Sequence, residues 1–185
     1  MRRAWRGFSL VELMAVLAVM AIVAGLALPD MLALVQRQRL KAAVSDLSSA
    51  IDLTRSQAIS RGRRVLLVPL DAAGTDWRSG WVVFIDADHD RRPGPGEEII
   101  ASHGPLAEGI AIDFNFSSNA TPWYIAYNGS GRSCSDASSM APRWGTLSLF
   151  WGAETRRIKI SMLGRMRVCN PARDPRTCEG ADQSP

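Results

Sequence analysis

Histidine, tyrosine and cysteine are scarce in this 185-residue sequence, which contains two, two and three of them respectively. Neither His89 nor His103 accompanies a recognisable nucleophile motif, and residues 129–131, Gly-Ser-Gly, lack the third glycine of a nucleotide-binding loop. We therefore expect neither an enzyme nor a bound cofactor. A composition of 46% hydrophobic and 22% charged residues also argues against disorder, collagen and a multi-span membrane protein. The length suits one compact domain.

Lysine is almost absent as well, because 20 of the 22 basic residues are arginine. With 18 acidic residues they give a formal charge of +4 and an isoelectric point near 9.4. The charge is unevenly distributed: residues 71–113 hold nine acids against three bases, whereas residues 132–167 hold seven bases against two acids. The overall basic balance is compatible with a nucleic acid, an anionic lipid or a targeting leader, and the local basic patch favours a nucleic acid as partner.

The N-terminal part of the chain contains one long apolar run. No charge occurs over residues 13–29, and with residues 8–11 the run is long enough for a membrane helix. Three arginines among the first six residues predict that this end stays in the cytoplasm and that the rest of the chain is exported. Glu12 is a charge within the apolar run, where an ionised carboxylate is costly and usually marks a partner.

Residues 7–13, Gly-Phe-Ser-Leu-Val-Glu-Leu, resemble the type IV prepilin motif. The resemblance implies that prepilin peptidase cleaves between Gly7 and Phe8 and methylates the new Phe8 amine. It also implies that Glu12 pairs with the N-terminal amine of a neighbouring pilin, and that the protein lies in the inner membrane with a periplasmic head until it joins an extracellular pilus. The alternative is a secretory signal peptide that is cleaved near Ala27.

Beyond this run, the pattern predicts an α+β fold. Apolar residues recur at helical spacing and then give way after Gly62 to short β-rich runs. The spaced apolar residues are Leu40, Val44, Leu47, Ile51 and Ala58. The strand candidates are Val65–Leu70, Gly80–Ile85, Glu98–Ser102, Ile110–Phe116, Trp123–Tyr127, Thr146–Trp151, Arg157–Met162 and Arg165–Cys169. We therefore expect a long helix packed on antiparallel sheets. The prepilin resemblance implies that these form the type IV pilin fold, with two sheets.

This pattern divides the chain into five segments. They are a leader (1–7), a transmembrane or filament-core helix (8–29), its amphipathic second half (30–61), a β-rich head (62–169) and an irregular tail (170–185).

The head also resembles that of FimT/GspH-type minor pilins. The resemblance rests on residues 77–100, 127–131 and 158–161, and above all on residues 164–167, Gly-Arg-Met-Arg. In FimT-like pilins this Gly-Arg-x-Arg element is associated with DNA binding, which implies that role for Gly164, Arg165 and Arg167. The expected function is capture of DNA for natural transformation. The alternative is a type II secretion pseudopilin whose arginines contact other subunits.

The residues around this element support a basic hairpin. Leu163 and Gly164 are typical of a tight turn, after which Arg165 and Arg167 point to one face of a strand about 7 Å apart. Paired guanidinium groups suit phosphate oxygens. Further candidate DNA contacts are Arg156, Arg157, Lys159 and, outside the hairpin, Arg143. The alternative is a solvated edge strand whose arginines prevent pairing with other edges.

An acidic loop in the head has a partial calcium-binding pattern. Asp86, Asp88, Asp90 and Glu97 occupy EF-hand-like positions, but Arg91 stands where that loop requires glycine. We therefore expect a polar loop without a metal.

The three cysteines would face an oxidising compartment, where disulfides are expected. Cys169 with Cys178 is the favoured pair because their short separation would fasten the tail beside the arginine hairpin. Cys134 with Cys169 is the alternative. Most tryptophans are expected in the core, and Trp144 is kept as a surface contact.

Overall fold

A computed structural model describes residues 9–178, without the side chains of residues 23–30 and 32. The chain divides into two units, one that ends at Gln38 and one that begins at Arg39. Helix α1 (Leu10–Arg61) has residues in both units. Within the described residues, eight strands and a short second helix belong to the second unit.

In the first unit, Ser9 caps the start of α1. Its hydroxyl oxygen accepts a hydrogen bond from the Glu12 amide at 3.2 Å, which satisfies one of the free amides of the first turn. The carboxylate of Glu12 lies in this first turn, where the helix dipole favours negative charge. Many large apolar side chains between Leu10 and Ile22 are exposed.

Two predictions concern this end of the chain. Gly7 and Phe8, the predicted site of cleavage and methylation, lie outside the described residues. The sequence also predicts a membrane span over residues 8–29. Within the part of the chain that the structure describes, no helix has an apolar stretch long enough to cross a membrane.

In the second unit, α1 buries one face against the sheets. The five apolar residues predicted from helical spacing are all buried, with Leu47, Ile51 and Ala58 fully inaccessible. Thr54 is buried on the same face and donates its hydroxyl hydrogen to the Ala50 carbonyl at 2.6 Å. The helix ends at Arg61.

The head contains two four-stranded antiparallel sheets. The first has the strand order β3-β2-β1-β5 and the second has the order β4-β6-β7-β8. The strands are β1 (Val65–Pro69), β2 (Trp81–Phe84), β3 (Ile99–His103), β4 (Ala111–Phe116), β5 (Ile125–Tyr127), β6 (Gly145–Trp151), β7 (Glu154–Ile160) and β8 (Met166–Cys169). This is the predicted helix packed on two antiparallel sheets.

The central strands of the first sheet are buried on both faces. Val65 and Leu67 of β1 belong to the main core with α1, whereas Leu66 and Val68 belong to a second cluster that includes Cys134. This double burial explains why β1 and β2 are apolar throughout instead of alternating.

The second sheet separates an apolar face from a polar one. Ile158 and Ile160 of β7 belong to the main core. On the opposite face, Lys159 pairs with Thr146 of β6 and with Arg167 of β8. The polar face therefore carries the basic residues of the hairpin.

The clearest differences from the predicted elements are at the start of β7 and in the tail. Strand β7 begins at Glu154 instead of Arg157, because pairing with β6 continues to Trp151 and closes through a turn at residues 152–153. The tail, predicted as irregular, contains helix α2 (Pro175–Cys178). Proline at the first helical position is already set in a helical φ, and the Asp174 carbonyl accepts from the Cys178 amide at 2.9 Å.

Candidate nucleic-acid interface

The candidate site is built on the hairpin of β7 and β8, whose turn is closed by Ser161. The Ser161 carbonyl accepts from the Gly164 amide at 2.8 Å, and its amide donates to the Arg165 carbonyl at 3.0 Å. The Ser161 hydroxyl oxygen accepts from the Arg165 amide at 3.2 Å. Arg165 is thereby held at the start of β8, one residue before Met166 pairs with Ile160.

Gly164 packs the tip of the hairpin against the rest of the head. Its φ is +76°, and a Cβ there would lie 2.3 Å from the Gly131 carbonyl oxygen and 2.9 Å from the Tyr127 ring. The same Gly131 oxygen accepts a hydrogen bond from Nε of Arg55 on α1 at 3.0 Å. Gly164 is buried, so its part in the site is to position the hairpin and not to contact a ligand.

Three basic residues of the hairpin meet in one groove. Lys159, Arg165 and Arg167 line a cavity of about 780 Å³ at the polar face of the second sheet, together with Trp144 and Thr146. None of the described residues that line this cavity is acidic. We call it the arginine groove. Its three positive charges suit an anionic ligand with several phosphate groups.

Arg167 is oriented by the tail. Its Nη2 donates to the Thr177 carbonyl oxygen in α2 at 2.6 Å, while the side chain stays exposed. The disulfide between Cys169 and Cys178 links β8 to α2, with their Cα atoms 5.7 Å apart. The tail therefore supports the wall of the groove next to Arg167.

This disulfide is the pair that the sequence favoured over Cys134 with Cys169. Cys134 is only 1% exposed and forms no disulfide. Burial raises the pKa of the Cys134 thiol to about 11. Cys134 is therefore a packing residue of the second core cluster.

Arg157 was predicted to contact DNA, and its position contradicts that prediction. The side chain is only 8% exposed, and Nη1 donates to the Cys178 carbonyl oxygen at 2.9 Å. Arg157 pairs with Cys169 across the hairpin, so the disulfide and α2 lie over it. It fastens the tail to the sheet instead of facing solvent.

Arg156 was also predicted to join the site, but it lies on the other face of β7. Side chains alternate along a strand, so Arg156 projects to the side of Ile158. Its Nη1 donates to Glu154 Oε2 at 3.1 Å and to the Thr155 carbonyl at 2.7 Å. Arg156 is not among the residues that line the arginine groove.

Arg143 was the third residue predicted to contact DNA, but the structure buries its side chain. It is 3% exposed and donates to the carbonyl oxygens of Tyr124 at 2.9 Å and Ser118 at 2.6 Å. The guanidinium group lies 3.7 Å from the centre of the Tyr124 ring. Burial lowers the pKa of Arg143. This arginine ties the segment before β6 to the core.

The sequence did not predict the polar network beside Arg143. Asp136 accepts hydrogen bonds from Arg91 and, at 2.7 Å, from the Tyr124 hydroxyl. Burial alone would raise the pKa of Asp136, but these hydrogen bonds lower it to about 2. No short motif marks this network, because Asp136 is 45 residues from Arg91 and 12 residues from Tyr124 in the chain.

The acidic loop brings three carboxylates together. Ligand atoms of Asp86, Asp88 and Glu97 all lie within 4.8 Å of one another. Asp86 accepts from the His89 amide at 2.7 Å, and Glu97 accepts from the Ala87 amide at 2.7 Å. Burial raises the pKa of Asp86. The carboxylates brace the backbone of a polar loop, in which Arg91 has a φ of +62°.

Trp144 differs from the other tryptophans that the structure describes. It is 43% exposed, whereas Trp77 and Trp81 are buried and Trp123 and Trp151 are half-buried. The expectation of a surface position for Trp144 and a core position for Trp81 agrees with this finding.

Two segments of the chain match known protein families. Residues 43–164 match the family described as type II transport protein GspH, and residues 6–28 match the prokaryotic N-terminal methylation motif. The chain belongs to the GspH family.

A curated relative indicates the kind of protein within this family. Over 165 residues the chain is 31% identical to the pilin-like protein PilA1 of Thermus thermophilus, a match that covers 88% of this chain and 97% of the relative. The protein is therefore a minor pilin or pseudopilin of the type IV pilus or type II secretion kind.

Two solved structures share the fold. The type IV minor pilin FimU of Pseudomonas aeruginosa superposes with a TM-score of 0.58 at 18% identity, covering 74% of this chain and 92% of FimU. The minor pseudopilin EpsH of the Vibrio cholerae type 2 secretion system has a TM-score of 0.50 at 18% identity, covering 72% and 98%. Both show that the helix and two sheets form the type IV pilin fold.

Proposed function

We propose that this protein is a minor pilin that binds extracellular DNA in the arginine groove, so that pilus retraction draws the DNA inward during natural transformation. The observation that carries the proposal is the convergence of Lys159, Arg165 and Arg167 on one groove that has no acidic lining residue in the described chain.

The chemistry of the groove suits the phosphates of a nucleic acid. A guanidinium group offers a planar fork of donors that matches two phosphate oxygens, and two arginines with one lysine can follow successive phosphates of a strand. Phosphate contacts carry no base information, so we expect binding without a preferred duplex sequence. Each contact releases counterions, so affinity should fall steeply as salt rises.

The N-terminal segment supports assembly into a filament. The exposed apolar side chains between Leu10 and Ile22 need a covering, which the inner membrane or neighbouring pilins would provide. We infer that prepilin peptidase cleaves between Gly7 and Phe8, and that Glu12 pairs with the amine of an adjacent subunit. The head would then lie in the periplasm before assembly and outside the cell afterwards.

A structural role in type II secretion is the second candidate. The GspH family match favours it, and so do the exposed Met140, Met162 and Leu163, which line one surface depression at the hairpin tip and suit contact with another subunit. In this case the arginines of the groove would contact protein carboxylates instead of phosphates.

DNA binding by the full-length protein in an uncharged detergent separates the two candidates. Mobility shifts with mixed-sequence duplex DNA would be measured over a range of salt concentrations. The variant Arg165→Ala, Arg167→Ala should bind more weakly, and its salt dependence should flatten by about 0.9 in log–log slope for each lost phosphate contact.

The matched control is Arg63→Ala, Arg132→Ala, which also removes two exposed positive charges but none from the groove. It should bind nearly as well as the wild-type protein. If both double variants lose affinity equally, the attraction is a general charge effect and the groove is not the site. If a folded Arg165→Ala, Arg167→Ala variant binds normally, DNA binding by this hairpin is refuted.

A further inference from the structure

Trp144 is placed in the wall of the arginine groove by neighbours that are themselves fixed. The Arg143 side chain before it is buried and donates to two carbonyl oxygens. After it, Gly145 lies under Phe116, whose ring atoms would be 2.3 Å from a Cβ at that position. The Trp144 carbonyl accepts from the Ser117 amide at 2.8 Å. The indole is therefore held at the surface by an ordered backbone.

An indole that is 43% exposed beside three cations is suited to a ligand that is both aromatic and anionic. Exposed tryptophan has a large apolar surface whose burial favours binding, and its face stacks on other flat rings. Nucleotides combine such a ring with a phosphate. A cavity of about 780 Å³ is within the usual range for a site that encloses a ligand of this size.

The geometry of stacking distinguishes single-stranded from duplex DNA as the ligand. In a duplex the faces of the bases are covered by their neighbours, so an indole in a groove wall cannot reach them without unstacking a base. In a single strand the faces are accessible, and proteins that hold single strands combine aromatic platforms with a basic groove. We infer that the arginine groove binds single-stranded DNA, with a base stacked on Trp144 and the adjacent phosphates on Lys159, Arg165 and Arg167.

This inference rests on the proposed DNA binding and adds a preference for one form of DNA. It predicts that stacking on Trp144 contributes to the affinity for single-stranded DNA independently of charge. Loss of Trp144 should lower affinity at every salt concentration without changing the salt slope, whereas loss of Arg165 and Arg167 should change the slope.

The test uses the full-length protein in an uncharged detergent and three fluorescent probes of equal length. The probes are oligothymidylate, an abasic single strand with the same phosphates, and a duplex. Wild-type protein should bind oligothymidylate about tenfold more tightly than the abasic strand, because one stacked base is worth about that factor. Trp144→Ala should remove this difference and leave binding of the abasic strand unchanged.

Trp144→Tyr keeps an aromatic face and should retain most of the preference for oligothymidylate. Intact disulfide bonding and an unchanged unfolding temperature would show that each variant is folded. Should the alanine variant fail to fold, equal binding of wild-type protein to oligothymidylate and to the abasic strand would still refute the inference.

The outcomes separate this inference from the proposed function. Equal binding of wild-type protein to oligothymidylate, the abasic strand and duplex would refute stacking and leave phosphate binding standing. Weaker binding of Trp144→Ala to all three probes would also refute it, as would unchanged binding of that variant to oligothymidylate. No binding of any probe by the wild-type protein would refute both proposals.

Discussion

Two regions of the head use arginine in opposite ways. In the arginine groove, Arg165 and Arg167 are exposed at the edge of a polar face. Beside the Tyr124 ring, Arg143 is almost completely buried and its guanidinium group donates to backbone carbonyl oxygens. The first pair is available to an external anion, whereas the second region uses the same side chain to join segments of the chain.

Arg157 shares features with both the exposed and the buried arginines. It is on the polar face of the hairpin with Lys159, but α2 covers it and the Cys178 carbonyl oxygen accepts its hydrogen bond. The comparison shows that a count of basic residues in a segment overstates its binding surface. Burial and the hydrogen bonds already made decide which cations can meet a ligand.

The largest expected effect comes from breaking the buried region. Arg143→Ala should lower the free energy of unfolding by about 4 kcal/mol, because it removes two buried hydrogen bonds and leaves a cavity beneath Tyr124. Urea denaturation would measure this loss. Arg165→Ala should change stability by less than about 0.5 kcal/mol. Similar losses for both variants would abolish the distinction between the two regions.

A smaller effect is expected where the groove is joined to the head. Gly164→Ala should cost about 3 kcal/mol, since the new Cβ would overlap the Gly131 carbonyl in addition to the strain of a positive φ. Gly152→Ala is the matched control, because Gly152 also has a positive φ, +56°, but nothing lies within 4 Å of its Cβ position. It should cost about 1 kcal/mol.

Thermal and urea unfolding of the two glycine variants would show the difference. Equal losses would mean that Gly164 is needed for its backbone conformation alone. A displaced hairpin in Gly164→Ala should also weaken DNA binding, although no charge has been removed.

The smallest effect concerns pH and the buried network. The pKa of Asp136 is lowered to about 2 from an ordinary value of 3.8, so its contribution is complete above about pH 4 and disappears as the pH falls through about 2. The loss should be roughly 2 kcal/mol. Asp136→Asn should be less stable at neutral pH and should lose less stability in acid. Identical acid profiles for the variant and the wild-type protein would contradict this account.

Much of the fold could be predicted from the sequence because the signals are local. The helical spacing that includes Leu40, Leu47 and Ile51 identified a face that the structure buries. Alternating or continuous apolar runs identified each of the eight strands in the described part of the chain, with ends that differ by up to three residues. The predicted start of β7, Arg157, is three residues too late. The first residues of the strand, Glu154 to Arg156, are polar although they pair with β6.

The candidate site was predicted only in part for a different reason. Period-two alternation places Arg165 and Arg167 on one face, and the structure agrees that both line one groove. The same alternation cannot show that α2 lies over Arg157. Nor can it show that Arg143 reaches the Ser118 carbonyl, 25 residues away in sequence.

The sequence by itself determined the order of helix and strands, the favoured cysteine pair and the turn from which Arg165 emerges, because each depends on residues close together in the chain. The tertiary structure alone decided which cations face solvent and that Trp144 shares their groove. Those outcomes depend on contacts between distant segments, where burial, packing against Gly131 and hydrogen bonds to the tail select one arrangement of the side chains.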